Sequence, residues 1–112
     1  MDQIPKPIKR ALRELASRAY EIELGQALAA LHSEFGRWQR GEVTAFDLSE
    51  AIHRFHHGRA RELYSMYTQG HPTAAVAHAI YSGILDRGQV APELLKYLEG
   101  ALDFYAASES AQ

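Results

Sequence analysis

Residues 8–39 read as one long helix carrying two apolar stripes that cannot face the same neighbour. In its first half Ile8, Leu12, Leu15, Ala19 and Ile22 fall on one side. In its second half Leu24, Leu28, Leu31, Phe35 and Trp38 form another stripe, rotated by roughly 140° at about 100° per residue. Either the chain bends near Gly25, the weakest helix former in this stretch, or the two halves meet different partners. Length sharpens the choice: about 32 residues at ~1.5 Å each span ~48 Å, while a domain of this size is only about 35 Å across. A straight rod therefore protrudes. Ile8, Leu12 and Leu15 are then candidate interface residues, covered by a second chain.

The remainder is helical as well. Apolar residues recur at three- and four-residue spacings, Ala, Leu, Glu, Arg and Gln dominate, and no segment alternates as a strand does. A second helix is expected from Thr44, with Asp47 completing a capping box, to His57, where Gly58 can close it in the left-handed conformation. A third runs from Arg59 to about Gln69, a fourth from Pro72 to near Gly83, and a fifth from Pro92 to about Ala107. Their core stripes are Leu48, Ala51, Ile52 and Phe55; Leu63, Met66 and Tyr67; Ala75, Val76, Ala79 and Ile80; and Leu94, Leu95, Leu98, Leu102 and Tyr105. The expected fold is all-α, a small irregular orthogonal bundle of about five helices with a long first helix, kinked near Gly25 or protruding. Residues 1–112 form a single domain, with 1–7 and 108–112 expected as flexible tails.

Composition removes several functional classes. There is no cysteine, hence no disulfide, thiolate metal site or cysteine nucleophile. A net charge of −2 gives no bulk attraction to a polyanion. No apolar run reaches the ~18 residues of a membrane span, and the N-terminus lacks a signal peptide's apolar core, so the expected compartment is the cytoplasm.

Two clusters carry possible chemistry. Glu50, His53 and His57 share, with Phe46, the face opposite Leu48, and two imidazoles with a carboxylate match a three-ligand site for a divalent metal such as zinc. No glutamate follows the first histidine and no second Glu-x-x-His occurs, so neither helical metal motif is complete; a solvated polar face is the simpler reading. Arg59 and Arg61, beside the free amides of a helix starting after Gly58, form a candidate anion site, with an Arg59–Glu62 pair as the simpler alternative. A helix-turn-helix centred on Gly58 fits poorly, because Arg54, Tyr64 and Tyr67 occupy positions that want small or branched apolar side chains. The basic patch Lys6, Lys9, Arg10 and Arg13 faces an acidic final third, which suits pairing between proteins at least as well as phosphate binding. Tyr97 and Phe104 flank the last leucine stripe as a second contact surface or as packing under residues 84–90.

No nucleophile elbow, dinucleotide loop or paired acid motif is present, so no catalytic residue or cofactor is assigned. The sequence therefore points to a helical interaction module that self-associates or binds a protein partner, with no membrane or nucleic-acid role expected. The alternative is a metal- or anion-binding bundle using the histidine face or the arginine turn.

Overall fold

Prolines 5 and 7 open the first helix, where a missing amide costs nothing, and Lys9 N–H already reaches the Pro5 carbonyl at 2.9 Å. From there the computed structural model, which describes residues 4–110 with side chains through residue 108, holds four helices and no strand among those residues. Helix α1 spans Lys6–Gln39 without interruption across Gly25. Gly41, at φ 76°, turns the chain, and Thr44 caps α2. The capping box forms as expected: Asp47 N–H donates to Thr44 Oγ1 at 3.1 Å, and Thr44 N–H donates to Asp47 Oδ2 at 2.9 Å.

Helix α2 occupies residues 45–69 and corrects the expected break at Gly58. It is α-helical over Ala45–Arg54, widens to a π-helix over Phe55–Ala60, returns to α over Arg61–Tyr64, and widens again over Ser65–Gln69. Gly58 is not left-handed; among the described residues only Gly41 and Gly83 have positive φ. The expected second and third helices are therefore one rod, and the bundle has four helices rather than five. Helix α3 (Pro72–Tyr81) starts with His71 Nδ1 accepting from Thr73 N–H at 3.1 Å. After a 3-10 turn at Arg87–Gln89 comes α4 (Pro92–Ser110), which carries helix through positions 108–110, expected as tail. At the other end Ile4 packs on the core; positions 1–3 and 111–112 lie outside the described residues.

The core lies at one end. Leu12, Ala16 and Ala19 of α1 meet Ala75, Val76, Ala77 and Ala79 of α3 and Leu94, Leu98 and Leu102 of α4, closed by Leu85 and Val90. The alanines of α3 let it lie close to both neighbours. Leu12 is 1% exposed, and Ile8 and Leu15 pack half-buried on the same cluster. Leu12 is thus covered by its own α3 and α4 and offers no surface to a second chain, while Ile8 and Leu15 are covered in part. The rod does protrude, but with its other half. The molecule measures 56 × 33 × 25 Å. Its radius of gyration is 17.4 Å, against ~13 Å for a compact chain of this length.

Candidate functional site

The protruding part is a two-helix arm, residues 24–60, in which the outer half of α1 packs against the first half of α2. Among its described residues only Leu48 is buried. Two grooves flank the contact between the helices. One, of about 470 Å³, is lined by Tyr20, Leu24, His56, His57, Arg61 and Tyr64. The other, of about 730 Å³, runs past Ala27, Leu31, Ala51 and Phe55 to Glu23 and Arg59.

At the arm's root sits a polar cluster that sequence reasoning missed. Glu23 is 4% exposed, yet both carboxylate oxygens are engaged. Arg59 Nη2 donates to Oε2 at 2.6 Å, Tyr67 Oη donates to Oε1 at 2.6 Å, and His78 Nε2 lies 3.3 Å from Oε1. Arg59 also pairs with Glu62, as the simpler sequence reading expected. Tyr67 is held from behind by Tyr20, stacked at 5.3 Å between ring centroids. Burial, and then the hydrogen bond to Glu23, push the Tyr67 phenol above its ordinary value of 10.0, so it stays protonated at neutral pH. The cluster fastens α1, α2 and α3 together.

The wide turns of α2 build this cluster. At 3.6 residues per turn, Arg59 and Tyr67 would stand about 80° apart around the helix. A π-turn advances by a smaller angle per residue, which closes that gap and lets both side chains reach one carboxylate.

The candidate metal residues divide. Phe46, Glu50, His53 and His57 are all exposed on the outer face of α2, as the helical phase predicts. The rings of His53 and His57 lie 4.3 Å apart by centroid, and His56 meets His57 edge-on at 5.1 Å. As the side chains stand, no three His, Asp or Glu side chains among the described residues are placed to hold a metal ion. The candidate anion residues part as well: Arg59 lines the groove with Glu23, and Arg61 lines the groove with Tyr20. No helix starts beside them, so the free amides on which that expectation rested are not there. Phe104 is exposed on α4 and Tyr97 lies half-buried under Lys96, whose ammonium sits 5.2 Å from its ring centroid.

No helix among the described residues is long and apolar enough to cross a membrane. No protein-family model, curated protein or solved structure matches the chain.

Proposed function

We propose that the chain is a helical interaction module and that the arm, residues 24–60, is the element that engages another protein surface. One observation carries this reading. The stripe Leu24, Leu28, Leu31, Phe35 and Trp38 has only α2 beside it, and Leu28, Phe35 and Trp38 stay exposed. Ile52 on α2 is exposed too. The polar cluster at Glu23 supports the reading by fixing the arm to the bundle, so that a preformed surface is presented with little ordering cost on binding.

The test is a photo-cross-linking amino acid placed at position 35, with position 10 on the bundle as the comparison, in cells expressing the full chain. A discrete adduct from position 35 and none from position 10 is expected. Equal adducts at both positions, or none at 35, contradict the reading.

A further inference from the structure

We propose that the occupant of the arm is a second copy of this chain, with two arms lying antiparallel about a two-fold axis so that their four helices close a single bundle. This rests on the arm being an interaction surface and names its partner.

The first argument is the spacing of the seam. Leu24, Leu28, Leu31, Phe35 and Trp38 follow one another at intervals of four, three, four and three, the repeat of a helix packed in a bundle of near-parallel rods. A seam of that kind inserts between neighbouring helices, and one hairpin supplies α1 with a single neighbour. Leu24 and Leu31 are half-covered by it. Leu28, Phe35 and Trp38 remain 47%, 37% and 42% exposed. On α2, Ile52 and Tyr64 are 40% and 53% exposed.

The second argument is area. With ~150–250 Å² for each large side chain, these five open fractions leave roughly 450 Å² of apolar surface per copy. A standard interface takes about 800 Å² from each partner, a little over half of it apolar. The apolar area left open on the two helices is thus the size that one further copy requires.

The third argument sets the direction. Charge is segregated along α2 and the turn before it. Residues 41–50 hold Glu42, Asp47 and Glu50 and no base, whereas residues 51–61 hold Arg54, Arg59 and Arg61, three histidines and no acid. Arms running the same way would set like charge beside like. Glu42 is already held by Arg37 and Arg40, and Arg59 by Glu23 and Glu62, so the charge left for a partner is Asp47 and Glu50 toward the outer end and Arg54 and Arg61 toward the inner end, which antiparallel arms set beside one another. The same arrangement brings Trp38, at the outer end, to the groove of about 470 Å³ between Leu24, His56, His57 and Tyr64 at the inner end. A two-fold axis makes each contact twice, so a modest patch yields a closed pair rather than a chain of molecules.

The experiment combines sedimentation equilibrium with the emission of Trp38, the sole tryptophan. The purified 112-residue chain is expected to have the mass of two chains at tens of micromolar. Dilution should convert it to one chain, shift Trp38 emission to the red, and do so at higher protein concentration as salt is raised. The double variant Leu28→Glu/Phe35→Glu should weaken pairing at least a hundredfold with helical circular dichroism intact, since both side chains are exposed in the single chain. Phe104→Glu on α4 should pair as the unaltered chain does. A single-chain mass at every concentration overturns self-pairing, as does a dimer that survives the double variant or leaves Trp38 emission unchanged. Should the double variant misfold, the dilution shift of Trp38 in the unaltered chain still decides. A monomer whose position 35 cross-links to another protein removes self-pairing and keeps the interaction module; a monomer without any adduct removes both.

Discussion

Glu23 is where three helices are tied, and its substitution has a definite expected cost. Glu23→Ala leaves the Tyr67 hydroxyl and the His78 ring facing a space they cannot fill, while Arg59, half exposed, can turn to water. Removing one member of a buried network strands its partners, so unfolding stability should fall by about 2–3 kcal/mol in denaturant titration. A change under half a kilocalorie would contradict the clamp. Tyr67 gives a second test through pH. Its phenol is held above the ordinary value of 10.0 by burial and by Glu23, so folding favours the protonated form. That contribution is complete below the unfolded value and is lost as pH rises past it toward the folded one. Tyr67→Phe should therefore flatten the alkaline loss of stability and leave one fewer late-titrating tyrosine in ultraviolet absorbance. The sequence held a signal for this cluster. Glu23 continues the run Leu12, Ala16, Ala19 at four- and three-residue intervals, which puts a carboxylate in phase with the buried face of α1. The expected stripe of Ile8, Leu12, Leu15, Ala19 and Ile22 shares Leu12 and Ala19 with that run but omits Ala16, one of the small side chains that let α3 come close.

At the scale of helices, α1 was legible in extent, as were the capping box at Thr44, the turn glycines 41 and 83, and the proline starts of α3 and α4. The continuity of α2 was not. Gly58 resembles a stop only if the chain beyond it leaves the helix, and Arg59-Ala60-Arg61-Glu62-Leu63 are all good helix formers. What no periodicity at a fixed angle can reveal is a helix that changes pitch twice, because each wide turn shifts the phase of everything after it. Gly25 shows the opposite case, a glycine inside a straight α-helix with open space where a side chain would stand. Gly25→Ala should raise stability by about 0.5–1 kcal/mol, read as a higher denaturant midpoint with unchanged slope; a loss would mean that the helix bends there after all. Asp47 ties the start of α2 to acid conditions. Its carboxyl is held below its ordinary value by the Thr44 backbone and then the Thr44 hydroxyl. The cap therefore acts above the unfolded value of 3.8 and is lost as pH falls through the folded one, so fraying at 45–48 is expected in strong acid and absent at neutral pH.

On the scale of the whole molecule, the mismatch between two stripes on one rod resolves without a break in the helix. The inner stripe is absorbed by α3 and α4, and the outer one is left on an arm that its own chain covers from one side. A rod of this length must leave a globule of this size, and the molecule extends 56 Å along its longest axis. The end that leaves was not readable, because it depends on α3 and α4 folding back over residues 8–22, and their docking partner is not written in their own spacing. The most direct measurement is amide hydrogen exchange of the full chain at low and high protein concentration, resolved by segment. Added protection at high concentration, confined to residues 24–64 and absent from the double variant Leu28→Glu/Phe35→Glu, is the expected result. Added protection over residues 8–22, or none anywhere, would contradict association through the arm.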